Sequence, residues 1–128
     1  MRIFKNAWFA RFAKREAIGD ALLREVVARA ESGLIDADLG GGLIKQRVAR
    51  PPRGKSKGWR VILAFRKSEA TFFLYGFPKS SQANLSEDEV KAFKLAAKEL
   101  FELSGKQLDK LVKQGAIIEV RCEQKLPE

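Results

Sequence analysis

The stretch 59–77, WRVILAFRKSEATFFLYGF, decides the fold. It holds two runs rich in β-branched and aromatic residues, Trp59 to Lys67 and Ala70 to Phe77. Only Ser68 and Glu69 part them, which predicts an antiparallel hairpin. Upstream, Leu43 to Arg50 is a third run of the same kind, and Gly40, Gly41 and Gly42 before it mark a turn. The third strand of this set, Thr71 to Phe77, is apolar on both faces, as befits the centre of a sheet.

Working outward from this sheet, helical periodicity takes over on both sides. Arg2 to Lys5 reads as a first strand, followed by Trp8, Phe9, Phe12 and Ala13 at helical spacing. Gly19 breaks that run and Asp20 is a good N-cap. Leu22, Leu23, Val26, Val27 and Ala30 then form a second stripe that Gly33 ends. Downstream, Ser86 and Glu89 form a capping box that opens a helix with Val90, Phe93, Ala97, Leu100 and Phe101 on its buried side. A short helix from Ser104 to about Gln114 presents Leu108, Leu111 and Val112, and Ala116 to Val120 reads as a closing edge strand. There is no internal repeat. The order helices, sheet, helices implies an α+β domain, an antiparallel sheet with the N-terminal helices on one face and C-terminal helices after it. With 128 residues, one domain over 1–128 is expected.

Composition removes several function classes. Cys122 is the single cysteine, which excludes an intramolecular disulfide, and it reads as a packing residue. The absence of histidine removes the usual zinc sets and every histidine-dependent triad. No segment has the roughly 18 uncharged apolar residues of a membrane span. Arg2, Lys5, Arg11, Lys14 and Arg15 occupy the place where a signal peptide needs an apolar stretch, so a cytoplasmic location is expected.

The 25 basic against 16 acidic residues leave a net charge of +9. All of it sits between Leu39 and Ser68, where Lys45, Arg47, Arg50, Arg53, Lys55, Lys57, Arg60, Arg66 and Lys67 meet no acidic residue. Such a one-sign window suggests a polyanion-binding surface, because a solvated face usually mixes signs. Basic strand faces also serve solubility and edge protection, and each residue taken singly fits that reading equally.

Strand alternation sorts these cations. Lys45 and Arg47 share one side of their strand while Ile44 and Val48 share the side that packs on the helices. Arg60 and Arg66 alternate against Trp59, Val61, Leu63 and Phe65, and the next strand delivers Lys79 to its exit. Lys45, Arg47, Arg60 and Lys79 are therefore expected on one face. The connecting loop from Pro51 to Gly58 is basic and suits a phosphate backbone. Its Gly54-Lys55-Ser56 is not a phosphate loop, since Ala49 stands where the first glycine belongs and a strand follows instead of a helix. Trp59 and Phe65 have the chemistry to stack on bases, but rings at strand spacing are more often core.

Three motifs now carry a resemblance: Leu43-Ile44-Lys45-Gln46-Arg47-Val48; then Gly54, Lys55, Gly58, Trp59 and Arg60; then Phe73-Leu74-Tyr75-Gly76-Phe77-Pro78-Lys79. Together they resemble the RelE-type toxins of bacterial toxin-antitoxin systems, nearest to the HigB-like branch, over roughly Ile35 to Phe101. The tail from about Ser104 reads as a C-terminal extension of the minimal family fold. The resemblance implies a small endoribonuclease that cleaves mRNA on the translating ribosome and is silenced by a cognate antitoxin. The family's catalytic basic residues map onto Lys45, Arg47, Arg60 and Lys79. Arg50, Arg53, Lys55, Lys57, Arg66 and Lys67 are then candidates for RNA or ribosome binding. Many members carry a tyrosine or histidine in the C-terminal segment for acid-base work. This chain has no histidine, and its one tyrosine, Tyr75, lies within a strand.

The chemistry is compatible with that implication. RNA is cut without metal, cofactor or water when its own 2′-hydroxyl attacks the adjacent phosphate. This needs a base, charge stabilisation and an acid for the 5′-oxygen. Arginine stabilises but does not act as base, and a lysine among other cations loses its proton more readily, so Lys45 is the best base available. Lys79 then serves as acid or phosphate anchor. Two other readings stay open: a non-catalytic inhibitor on the same scaffold, as in ParE-like relatives associated with gyrase, and a plain RNA-binding domain. The expected partners are an acidic antitoxin, mRNA and the ribosome, with no membrane.

Overall fold

A computed structural model describes residues 1–49, 58–80 and 84–121. Arg50, Arg53, Lys55 and Lys57, the loop expected between two strands, and Cys122 lie outside the described residues.

The chain runs β1 (Arg2–Asn6), α1 (Ala7–Glu16), α2 (Asp20–Glu31), β2 (Ala37–Gly40), β3 (Leu43–Val48), β4 (Trp59–Arg66), β5 (Ala70–Pro78), α3 (Glu87–Phe101), α4 (Gly105–Gln114) and β6 (Ile117–Val120). The strands form one sheet in the order β2-β3-β4-β5-β1-β6. Neighbours are antiparallel except β1 and β5, which pair in parallel although α1, α2, β2, β3 and β4 lie between them in the chain. This is the expected α+β class.

Both faces of the sheet are covered. Phe9, Phe12 and Ala13 of α1 and Leu23, Val26, Val27 and Ala30 of α2 pack on Ile44, Val48, Trp59, Val61, Leu63 and Phe73. On the opposite face, Ala97 of α3 and Leu108 of α4 are buried with Phe4, Leu43, Ile62, Ala64, Phe72 and Leu74. Two covered faces explain why β4 and β5 read as continuous apolar runs instead of alternating ones. Trp59 and Phe65 belong to the core, and Trp59 Nε1 donates to Glu16 Oε1 at 3.0 Å. Neither ring is available to stack on a base.

The expected capping box of Ser86 with Glu89 opens α3, and a second one that was not expected, Ser104 with Gln107, opens α4. The closing edge strand also forms. β6 lies beside β1, and Arg2 fastens the two by donating to both carboxylate oxygens of Glu119 and to Asp109 Oδ1. The hydrogen bond to Glu119 is the main reason that the guanidinium is held above its ordinary value, with Asp109 adding to it against the opposing desolvation.

Three local expectations change. Gly19, not Asp20, is the N-cap of α2; Asp20 is the first helical residue, where its charge suits the helix N-terminus, and it accepts from Lys5 Nζ at 3.1 Å. The β4–β5 turn takes Lys67 as well as Ser68 and Glu69, with Ser68 in the left-handed region at φ 63° and the Glu69 N–H donating to Arg66 O. Finally, β2 was not expected. Four residues ending in glycine carry too little periodicity to announce a strand.

Gln46 locks the approach to β2. It is fully buried on the helix-covered face of β3, donates from Nε2 to Leu34 O at 3.1 Å, and accepts at Oε1 from the Asp36 N–H at 2.8 Å. Gln46→Ala leaves a buried donor and a buried acceptor without partners. Stability should fall by about 1–3 kcal/mol, seen as a lower urea midpoint at unchanged slope.

Candidate nucleic-acid interface

The register of β3, β4 and β5 arranges the basic residues in rows. Lys45 stands opposite Ile62, which stands opposite Tyr75; one step on, Arg47 stands opposite Arg60, which stands opposite Phe77. The Lys79 N–H donates to Gly58 O at 3.0 Å, which continues the ladder one row beyond the end of β5. Lys45, Arg47 and Arg60 thus share the sheet face on which α3 lies, as alternation predicts.

Lys79 and Tyr75 reach that face for a reason that alternation does not supply. Ile62 pairs with Tyr75 while Leu63 pairs with Phe73, so Leu74 is an extra residue in β5. A bulge of this kind reverses the alternation for everything after it. Before it, Phe72 and Leu74 pack beneath α3 and α4. After it the odd-numbered residues do so: Tyr75 joins the same cluster, its ring 6.1 Å from that of Phe77 and 5.4 Å from that of Phe93, while Gly76 faces Phe12 of α1. Without the bulge Tyr75, Phe77 and Lys79 would point to the other side.

Arg47, Arg60 and Lys79 line one open cleft of about 390 Å³, together with Arg29, Asp36, Val48, Ala49 and Gly58. None of these three cations has a carboxylate partner among the described residues. The acid in the lining, Asp36, is already engaged: Oδ2 accepts from Arg29 Nη2 at 3.0 Å and from the Arg47 N–H at 2.7 Å. Arg29 Nη1 donates to Arg47 O at 3.2 Å. These two side chains satisfy the outward backbone groups of Arg47 where pairing with β2 has ended, so Arg47 is held on a fixed support. Gly58 closes the mouth of the cleft. A Cβ there would lie 2.4 Å from Val48 O, so only glycine lets β4 enter this close to β3.

The other candidate residues are placed differently. Lys45 is half-buried and is not among the residues lining this cleft; its Nζ donates to Asn84 Oδ1 at 3.0 Å. Arg66 is at the far end of β4, roughly 20 Å of strand from Arg60 at about 3.3 Å per residue. Its guanidinium lies 4.3 Å over the Phe101 ring. Lys67 is exposed in the adjoining turn. Arg29, Asp36 and Asn84 were not singled out by the sequence, since a polar residue in a helix or a connection carries no local sign of its tertiary partner. Tyr75 was noted only for being in a strand; its ring is bracketed by Trp8, Phe77 and Phe93.

Two arginines directly opposite each other on adjacent strands destabilise the pairing. Arg60→Gln should therefore raise stability by about 0.2–1 kcal/mol in low salt, with the gain shrinking as salt screens the pair. Urea denaturation at two ionic strengths measures this. A loss of stability at both would mean that Arg60 is there for packing.

The model of the family described as the RelE toxin of RelE/RelB toxin-antitoxin systems matches residues 1–120, through α4 and β6. No curated protein matches the chain. The family match spans nearly all of the sequence, and it includes every strand that positions the basic cleft: the chain belongs to the RelE toxin family of toxin-antitoxin systems.

Proposed function

We propose that the chain is an endoribonuclease toxin that cuts mRNA on the translating ribosome in the cytoplasm, and that an antitoxin with an acidic segment restrains it. Toxins of this family generally cleave mRNA. The observation that carries the reading is the unneutralised Arg47–Arg60 pair with Lys79 beside it. Such a cluster lowers stability when empty and gains when an anion enters, as a phosphate or a phosphorane would.

In this reading the 2′-oxygen attacks the adjacent phosphorus, the bond from phosphorus to the 5′-oxygen breaks, and the products are a 2′,3′-cyclic phosphate and a 5′-hydroxyl. Arg47 and Arg60 stabilise the added negative charge. Lys79 anchors the phosphate or protonates the 5′-oxygen. Lys45, one row away, takes the proton from the 2′-hydroxyl. Arg50, Arg53, Lys55 and Lys57 extend the contact along the RNA backbone, and the likeness of the motifs 43–48 and 73–79 supports a position near the HigB-like branch of the family. No metal or cofactor enters the scheme. A second reading, a non-catalytic RNA-binding module, is favoured by one observation: Lys45 donates to Asn84 and stands outside the cleft lining.

Induction of the chain in growing bacteria should arrest growth and produce new mRNA ends within translated coding regions. Arrest with intact mRNA would select the binding-module reading, and absence of arrest would count against a toxin.

Single-turnover cleavage on programmed ribosomes, with affinity measured separately, tests the roles. Lys45→Arg keeps the charge but removes the titratable nitrogen, so cleavage should fall steeply at nearly unchanged affinity. Arg60→Lys loses the planar fork, and its rate should drop about 10²–10³-fold, as for loss of one oxyanion donor. Wild-type cleavage by Lys45→Arg would make Lys45 a phosphate contact and move the base to Lys79, Tyr75 or the ribosome.

A further inference from the structure

A second basic surface lies away from the cleft, along the outward stripe of α3. Lys91, Lys94, Leu95 and Lys98 stand at helical spacings of three and four residues and so share one face. With Gly41, Arg66, Phe101 and Glu102 they line a groove of about 730 Å³. None of the lining residues belongs to the cleft of Arg47, Arg60 and Lys79.

The groove is a built feature. One wall is the β2–β3 turn, where Gly40, Gly41 and Gly42 all adopt left-handed backbone at φ 94°, 64° and 84°. A Cβ on Gly42 would come within 2.7 Å of the Phe101 ring, and one on Gly40 within 3.0 Å of Lys94 Nζ. At Gly42 the turn is thus pressed against the Phe101 ring of α3 to a distance that only glycine allows, whereas the lysine tip that faces Gly40 is free to swing aside. Phe101 lies in the lining beneath the Arg66 guanidinium.

Its chemistry is mixed in a specific way. Lys91, Lys94 and Lys98 have no carboxylate partner among the described residues, Arg66 has only a 3.8 Å contact to Glu69, and Glu102 is the single acid in the lining. Among them Leu95 is 63% exposed, the most exposed large apolar side chain of the described residues. A nucleic-acid backbone would answer the lysines but leave Leu95 and Phe101 without apolar cover. An amphipathic acidic segment answers both, with an apolar side chain against Leu95 and carboxylates on the flanking lysines.

We propose that this groove docks an acidic amphipathic segment of a partner protein, separately from the RNA-facing cleft. The inference is independent of the nuclease reading, because cleavage chemistry enters neither the argument nor the test.

The test titrates the purified full chain with a short fluorescent amphipathic peptide, Leu on one face and Glu flanking it, beside the same peptide with Gln for Glu. The acidic peptide should bind with a Kd in the micromolar range and at least about tenfold tighter than the neutral one. Leu95→Glu should weaken it about tenfold or more, and Lys94→Gln with Lys98→Gln should weaken it and flatten its salt dependence. Leu95 and Lys98 are exposed and Lys94 lies at the groove wall, so circular dichroism and Tm should match the unsubstituted chain. Equal binding of the two peptides, or an affinity indifferent to Leu95→Glu, would overturn the proposal. So would an oligouridylate that competes the acidic peptide off while Leu95→Glu leaves oligouridylate binding unchanged, since that pattern assigns the groove to RNA.

Discussion

The pairing of β4 with β5 is the constraint on which the rest depends. These strands form the centre of a sheet buried on both faces, so a one-residue slip would exchange the side chains packed beneath α1 and α2 with those packed beneath α3 and α4 and spoil both cores. Within that fixed register, the extra residue Leu74 divides β5 into two halves of opposite facing. The first half serves the core, and the second carries Tyr75, Phe77 and Lys79 to the face that Arg47 and Arg60 occupy. A bulge in the best-buried hairpin of the molecule is therefore what joins the core to the basic cleft.

The cleft itself runs against stability. Arg47 and Arg60 repel across neighbouring strands, and the acid beside them is committed to Arg29 and to the backbone of Arg47. A rigid sheet tolerates such a pair because burial of the surrounding side chains outweighs a cross-strand penalty of order 1 kcal/mol or less. In the toxin reading this is the usual cost of holding groups ready for a charged ligand, and Gln46, Asp36 and Gly58 are the residues that keep the support stiff.

Much of this was legible in the sequence, and the failures have physical causes. Runs rich in β-branched and aromatic residues announced β3, β4 and β5, the Ser86–Glu89 capping box announced α3, and the stripe of Leu108, Leu111 and Val112 announced α4, because those signals are local. The shared face of Lys45, Arg47 and Arg60 followed from alternation. The bulge did not, since one extra residue leaves no mark on a run that is apolar on both faces, and the facing of Lys79 and Tyr75 depends on it. β2 was too short to show. The charge window placed Arg66 in one group with Arg60 because sequence counts charge along the chain, whereas β4 carries these two residues to opposite ends of the sheet. Asn84, Arg29 and Asp36 meet their partners only through tertiary contact.

The central claim is that the basic cleft promotes attack by the RNA's own 2′-hydroxyl, and the chemistry of the fragment ends tests it most directly. RNA cut by the purified chain on programmed ribosomes should carry a 2′,3′-cyclic phosphate on the upstream fragment and a 5′-hydroxyl on the downstream one. A 3′-hydroxyl with a 5′-phosphate would mean that water was the nucleophile, and would contradict the account.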